Sequence, residues 1–329
     1  MGDLIADEFL YGQTVRVSRE APVLVLQYRD LVRLPGGAAN AANNLLDLGC
    51  RVRMFGYVGQ DPSGRALARI LADKGADMRG VRMIKSYATP VKTRILAGAH
   101  HSSPQQIVRV DRVPEEASLL KIPESDVRRA LSGVDGVIIS DYGYGAVQAS
   151  LVRQLRTFAR PQGTPLVVDS RFRMGEFREV TTITPNITEL EAATGIAIGS
   201  NKELLHKTGQ EVIRRQMLDS LLVTQGRYGM TLFQRRRTPI HIPIFGTDEV
   251  ADVTGAGDTV IAVFTLSLAC GASPEEAARL ANYAGGLVVM KRGTATVRRA
   301  ELREAICSEP THPRPQREAL IKGRTKDAS

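Results

Sequence analysis

Asp252-Val253-Thr254-Gly255-Ala256-Gly257-Asp258-Thr259 runs straight into the apolar stretch Val260–Leu268. Two glycines ahead of an apolar run mark a tight turn that feeds a buried helix. The first N–H groups of such a helix lack intrahelical acceptors and, with the positive end of the dipole, favour an anion. Asp258 stands at the mouth of that anion hole, formed by Gly255, Ala256 and Gly257. Two readings fit the spacing. Asp258 takes a proton from a hydroxyl while the helix end stabilises a transferring phosphoryl group, or it merely caps a helix after a glycine turn. The third glycine of a dinucleotide fingerprint is absent, and no early βαβ unit accompanies the motif, which argues against an oxidoreductase.

Outward from this segment, short apolar runs alternate with helical periods. Strands are expected at Val52–Val58, Val134–Ser140, Pro165–Asp169, Thr181–Thr184, Leu221–Thr224 and Met230–Gln234. Helices are expected at Gly37–Leu48, Ser63–Lys74, Ala146–Ala159, Lys202–Met217, Gly257–Ala269 and Pro274–Met290. This alternation predicts an α/β fold, a mostly parallel sheet with helices on both faces and ligands at the carboxyl ends of the strands. Residues 11–35 and 88–112 break the rhythm. Their Val, Arg and Thr without helical period predict antiparallel strands outside the main sheet, forming a small lid.

The 329 residues are 43% hydrophobic, enough for one large domain, and no run of 18 apolar residues predicts a membrane span. Acids at Asp3, Asp7 and Glu8 stand where a signal peptide would be basic. Cys50, Cys270 and Cys307 are widely spaced and form no C-x-x-C pair, so they read as buried thiols of a cytoplasmic protein. The net charge of +9 permits nucleic-acid binding, but aromatics make up only 5% and Trp is absent. Scattered basic residues serve an anionic small substrate equally well. The last twenty residues hold five basic and two acidic side chains and several prolines, and residues 306–329 are expected to be a disordered basic tail.

Three further segments are ambiguous alone. Pro35-Gly36-Gly37-Ala38-Ala39-Asn40 opens a small-residue helix that either lets a polyol approach or packs tightly on the sheet. Gly226-Arg227-Tyr228-Gly229 after Leu221–Thr224 offers backbone to phosphates, or is a hairpin turn to Met230–Gln234. Lys92, Arg94 and Arg109 lie on the lid strands, Lys92 and Arg94 on one face, as phosphate contacts or as solvated charge. His100 and His101 are adjacent, so on a strand they face opposite ways and do not form a metal pair.

The Gly-Gly segment at 36–37 and the Asp252–Asp258 segment together resemble the paired signatures of the PfkB, or ribokinase-like, carbohydrate kinases, over residues 2–300. Within that family the sequence is most similar to members acting on D-glycero-β-D-manno-heptose 7-phosphate, on the route to ADP-heptose. That closer likeness is carried by Gly2-Asp3, Asp7, Tyr11-Gly12, Ser18–Val23, Pro35–Asn40, Ser140-Asp141-Tyr142, Thr184–Glu189 and Gly293–Val297. The resemblance implies a three-layer αβα fold with a β lid, one kinase domain over residues 1–305, and transfer of the γ-phosphate of ATP to a sugar hydroxyl with Mg²⁺. It implies Asp258 as base and Gly255, Ala256 and Gly257 as anion hole. Asp7, Gly36, Gly37 and Asn40 are implied to contact sugar hydroxyls. Asn186 and Glu189 match an N-x-x-E element that organises Mg²⁺ and phosphate through water; Thr224, Gly226 and Gly229 match the nucleotide loop, and Asn282 the adenine contact. Asp252 and Thr254, with backbone near Val288–Gly293, match a monovalent-cation (K⁺) site. A homodimer is implied as well, and a non-catalytic binding relative is disfavoured by the intact Asp258 and glycines.

The pattern departs at three places. An apolar strand is expected just before Gly2-Asp3, where this sequence has only Met1; either the start is truncated or mis-called, or the sheet lacks a strand beside the sugar site. Tyr144 stands where the heptose kinases carry Lys, and Asp169-Ser170-Arg171 where they carry Asp-Pro-Lys. Arg171 keeps a cation for the acceptor phosphate; Tyr144 removes one. The H-x-G-H motif of the nucleotidyltransferase fused to bacterial bifunctional members is matched by none of the five histidines, so only the kinase half is expected.

Overall fold

The computed structural model describes residues 1–98, 104–114, 124–246, 252–291 and 293–308. In chain order the strands are β1 (Leu4–Val17), β2 (Leu24–Gly37), β3 (Arg53–Gly59), β4 (Asp77–Ile84), β5 (Val91–Gly98) and β6 (Gln105–Arg112). They continue with β7 (Val137–Asp141), β8 (Leu166–Ser170), β9 (Thr182–Ile183), β10 (Ser220–Thr224), β11 (Met230–Gln234) and β12 (Ile240–Ile242). Strands β7 to β10 are parallel neighbours, and β11 and β12 each turn back antiparallel, giving a six-stranded sheet in the order β12-β11-β10-β9-β8-β7.

The near-continuous apolar sequence of β8 and β10 has a direct cause: both faces of these strands are covered. Leu166, Val168, Leu221 and Val223 join one core cluster, whereas the intervening Val167 and Leu222 join another. The first cluster is closed by helices α3 (Glu124–Leu131), α4 (Ala149–Ala159), α5 (Ile187–Thr194) and α6 (Lys202–Gln216). The second is closed by α1 (Ala38–Asp47), α7 (Ala256–Ala269), α8 (Pro274–Val289) and α9 (Arg299–Ser308). The result is the helix–sheet–helix sandwich expected from the alternating sequence. A third cluster packs α2 (Pro62–Asp73) through Leu67 and Leu71 onto Met54 and Val58 of β3, with Ala39 and Ala42 of α1.

Strands β3 and β4 form their own two-stranded parallel sheet. The first three residues lie between it and the large sheet: Gly2 N donates to Phe55 O, Asp3 N to Ser140 O, and Ser140 N to Met1 O, all at 3.0 Å. Gly2 makes an isolated parallel β-bridge to Ser140 of β7.

The remaining four strands make a separate sheet in the order β2-β1-β5-β6. Among the described residues its strands run through the stretches 11–35 and 88–112. Strand β1 is rooted in the body, with Leu4–Phe9 buried, and emerges as it proceeds. Antiparallel pairing was expected throughout; β1–β2 and β5–β6 obey it, but β1 and β5 run parallel. They are separated by β2, α1, β3, α2 and β4, a connection long enough for a parallel crossover.

Other details differ from expectation. Only Cys50 is partly buried; Cys270 and Cys307 are exposed, so the reading of all three as buried thiols is corrected. Both sit in or just after helices, on the solvent side. Helix α9 reaches Ser308, three residues into the segment expected as tail, and the rest of that segment lies outside the described residues, as do His100 and His101. No helix among the described residues is long and apolar enough to cross a membrane.

Candidate active site

Helix α7 begins at Gly255, whose φ of 79° is left-handed. A Cβ there would lie 2.4 Å from Asn40 Nδ2, so only glycine lets the N-termini of α7 and α1 meet. Gly37, with φ 57°, is the corresponding entry to α1; a Cβ on it would lie 2.8 Å from Asp3 O. The two helices are then laced together by amides. Asn44 Nδ2 donates to Asn40 O at 3.0 Å, while Asn44 Oδ1 accepts from Thr259 Oγ1 at 3.1 Å and from Val297 N at 3.3 Å. Both glycine segments of the sequence thus arrive at one point.

Asp258 sits in the first turn of α7 and is 3% exposed. Its Oδ2 accepts from Asn40 Nδ2 at 2.9 Å and its Oδ1 from the Tyr142 hydroxyl at 3.1 Å. Burial lifts its pKa to about 7; the two hydrogen bonds and Lys92 oppose the rise, and Asp7 adds to it. A carboxylate poised near neutrality is suited to taking and releasing a proton. Ala256 N already donates to Val253 O at 3.3 Å, so it is a weaker candidate for the anion hole than the remaining first-turn N–H groups. A Cβ on Gly257 meets no protein atom within 4 Å, which leaves open space in front of that backbone.

The lid root supplies the next group. Arg94 pairs with Asp7 Oδ1 at 2.5 Å, and the same carboxylate faces Gly36, where a Cβ would come 2.3 Å from Oδ2. Burial raises the pKa of Asp7, against the pull of Arg94 and Lys92. Lys92 and Arg94 are 9% and 8% exposed, which removes the solvated-charge reading. Lys92 Nζ stands 4.5 Å above the Tyr142 ring and makes no ion pair among the described residues. Arg109 is the exception: it is exposed and bound to Asp111 at 2.8 and 3.0 Å.

Tyr142 follows β7, in a turn held by a fully buried carboxylate. Asp3 accepts from Tyr142 N at 2.7 Å, Tyr144 N at 3.1 Å and Ala146 N at 3.0 Å. Sequence reading gave Asp3 and Tyr142 no role. The signal for Tyr142 was the short Ser-Asp-Tyr run beside two glycines, which composition alone does not distinguish from any turn. Arg171, exposed after β8, lies with its guanidinium 5.6 Å from the Phe172 ring centre. Tyr144 is half-buried, its hydroxyl pKa pushed up by burial first and then by the Asp111 charge, against the pull of Arg171.

Asn186 and Glu189 form a capping box on α5: Glu189 N donates to Asn186 Oδ1 at 2.8 Å and Asn186 N to Glu189 Oε2 at 2.9 Å. A bridge from Asn186 to Thr224 brings this element beside the carboxyl end of β10. Asp169, at the end of β8, went unassigned in the sequence. Burial raises its pKa first, then the like charges of Glu189 and Asp258. Such repulsion among carboxylates is relieved by a cation. Among the described residues no three His, Cys, Asp or Glu side chains converge as a metal cage. A Mg²⁺ ion therefore fits here only in the manner usual for it, on one or two carboxylates with water and phosphate oxygens.

Gly226–Tyr228 is a single 3-10 turn within an antiparallel hairpin, Thr224 opposite Met230, as the hairpin reading had it. Asn282, 8% exposed on α8, donates from Nδ2 to Pro243 O at 2.8 Å. Asp252 links two loops: Oδ1 accepts from Thr254 N at 2.9 Å and Oδ2 from Gly293 N at 3.1 Å.

Known proteins bear on this geometry. Residues 7–300 match the family described as pfkB family carbohydrate kinase. The chain is 40% identical over 311 residues to the bifunctional protein HldE of Geobacter sulfurreducens, covering 92% of this chain and 61% of that protein. It is 39% identical over 308 residues to the bifunctional protein HldE of Escherichia coli, with 93% and 62% covered. It thus spans about three fifths of the length of these relatives. Among solved structures, Arabidopsis thaliana ribokinase complexed with ribose and ATP is similar with TM-score 0.74 at 21% identity, over 93% of this chain and 96% of that one. Escherichia coli phosphofructokinase-2 in complex with potassium gives 0.72 at 21% identity, over 93% and 97%. With residues 7–300 matched and the two glycine segments meeting at Asp258, the chain belongs to the pfkB family of carbohydrate kinases, phosphotransferases that act on sugar hydroxyls.

Proposed function

We propose that this kinase transfers the γ-phosphate of ATP to D-glycero-β-D-manno-heptose 7-phosphate, giving the 1,7-bisphosphate for ADP-heptose synthesis in the cytoplasm. The observation that carries the acceptor class is Lys92: a buried cation in no ion pair among the described residues, 4.5 Å above the tyrosine that touches Asp258. Burial lowers its pKa and the charges of Asp7 and Asp258 oppose this only in part, so a further anion would stabilise the ammonium. With Arg171 near enough for its charge to act on Lys92, the site suits an acceptor that carries its own phosphate.

In this reading Asp258 accepts the proton of the acceptor hydroxyl as its oxygen bonds to the γ-phosphorus, and the bond to the β-phosphate oxygen breaks with its electrons leaving on ADP. The N-terminus of α7 at Gly255–Gly257 faces the transferring group. Asp7, Gly36, Gly37 and Asn40 border the sugar; Thr224, Gly226, Gly229 and Asn282 border the nucleotide. Asn186 and Glu189, joined by Asp169, would hold Mg²⁺, and the ion would supply charge neutralisation for the phosphates. A K⁺ ion beside the loops that Asp252 ties together, at Asp252 and Thr254, belongs to the same proposal. So does a homodimer, supported by large apolar residues exposed on the lid: Val15, Val17, Leu24, Tyr28, Ile107 and Val110.

The second reading is a free-sugar acceptor, favoured by Tyr144, which leaves an uncharged side chain where a cation was expected. The deciding experiment measures kcat/KM by ADP release for heptose 7-phosphate, fructose 6-phosphate, ribose and fructose. Heptose 7-phosphate should lead clearly; a free sugar at the head of the ranking overturns the heptose assignment.

A further inference from the structure

Both carboxylate oxygens of Asp258 are occupied, by donors from two separate elements. Asn40 reaches Oδ2 from the first turn of α1, and Tyr142 reaches Oδ1 from the turn after β7. A carboxylate swings easily about its terminal torsion. One hydrogen bond leaves that swing open, whereas one on each oxygen fixes the plane. Tyr142 is itself anchored, because Asp3 accepts its backbone N–H at 2.7 Å along with those of Tyr144 and Ala146.

We propose that Tyr142 is a positioning residue for phosphoryl transfer: its hydroxyl fixes the Asp258 carboxylate with the free lone pairs toward the acceptor, and its ring seats Lys92 on the acceptor side. The proposal rests on Asp258 being the base. Burial first, then the Asp258 charge, raises the Tyr142 hydroxyl well above its ordinary pKa, so it remains a donor at every working pH. The charged groups facing Asp258 are Asp7 and Asp169, which disfavour its ionised form, and Lys92, which favours it. The bonds from Asn40 and Tyr142 favour that form too. Tyr142 therefore orients the base and helps keep it ionised near neutrality.

The test is Tyr142→Phe, which keeps the ring beneath Lys92 and removes only the donor. Turnover should fall by about 10- to 100-fold, and the acid limb of kcat/KM should move up by about one pH unit, as expected when a bond to the charged form is lost. KM for ATP should stay within about twofold, since the nucleotide does not depend on the base. Asp258→Asn is measured alongside. If it keeps wild-type turnover, the base assignment itself fails and takes this inference with it. If Asp258→Asn is inactive while Tyr142→Phe keeps the wild-type limb and turnover, the base stands and the role of Tyr142 is overturned. A lowered melting temperature with an unmoved limb overturns it as well. Should Tyr142→Phe not fold, 3-fluorotyrosine at this position strengthens the donor without changing its shape. The limb then moves to lower pH if Tyr142 acts on the base, and an unmoved limb overturns the proposal.

Discussion

Asn40 Nδ2 lies 2.9 Å from Asp258 Oδ2, although 218 residues separate the two in the chain. The contact joins the first turns of α1 and α7, and the donor is an amide with no charge of its own. Replacing it by a carboxylate of nearly the same shape inverts the interaction. Asn40→Asp places two acids within hydrogen-bond reach, and such a pair shares one proton over a wide pH range. At pH 7 kcat/KM should drop by about 100-fold, with activity returning as pH rises above about 8. A rate profile from pH 5.5 to 9 with the wild-type shape would show that Asn40 does not touch the working carboxylate.

Asp258 also carries a stability cost. Burial raises its pKa from 3.8 to about 7, so the folded protein binds a proton that the unfolded chain releases between those values. For a raised acid the folded state is favoured below the unfolded pKa, and that advantage is lost as pH climbs through about 7. Asp258→Asn removes the charge and should stabilise the fold by on the order of 1–3 kcal/mol at pH 8. The gain should shrink steadily toward pH 4. Thermal melts of the two proteins at pH 5 and pH 8 check it, and an equal or lower melting temperature for the variant at pH 8 contradicts the buried charge.

Gly257 has open space where a Cβ would stand. Valine there should be tolerated by the protein but should intrude on whatever the N-terminus of α7 faces. The donors of an anion hole matter most as charge develops, so Gly257→Val should lower turnover by about 10²–10³-fold while ATP affinity changes little. Isothermal titration of ATP beside steady-state rates separates the two. If ATP binding collapses and turnover of bound ATP survives, the anion hole is elsewhere.

Much of this arrangement was legible in the sequence, and the unread parts have separate physical causes. Met230–Gln234 begins and ends where the apolar run does, and the helix starts at Lys202, Pro274 and Ala256 follow from their caps or glycines. These signals are local. Helix α3 went unread because its burial depends on two apolar positions, Val127 and Leu131, in an otherwise polar segment. Helix α5 went unread because eight residues hold too little periodicity, although its Asn186–Glu189 capping box was visible as a motif. Asp3, Tyr142 and Asp169 were missed for a different reason. Each acquires its role from a partner far away in the chain, as in the 139 residues between Asp3 and Tyr142. Spacing along one sequence carries no record of that.

The two lid cations should separate sharply by mutation. Arg94 is already committed, paired with Asp7 at 2.5 Å with both side chains nearly buried. Removing it as Arg94→Met strands a buried carboxylate, which should cost about 3–5 kcal/mol of stability whatever the acceptor. Lys92 has no such partner among the described residues and lies over the Tyr142 ring. Lys92→Met keeps the stem's volume and removes only the charge. If that charge completes an acceptor phosphate, one charge-assisted bond of about 1.5–3 kcal/mol disappears, and KM for the phosphorylated acceptor rises about 10- to 100-fold. KM for a free sugar, which never made the bond, should hardly move. Melting temperatures and KM values for heptose 7-phosphate and for fructose, in both variants, decide the matter. A parallel rise in KM for both acceptors in Lys92→Met would mean that Lys92 serves the sugar ring or the fold, and the anionic acceptor would lose its main support.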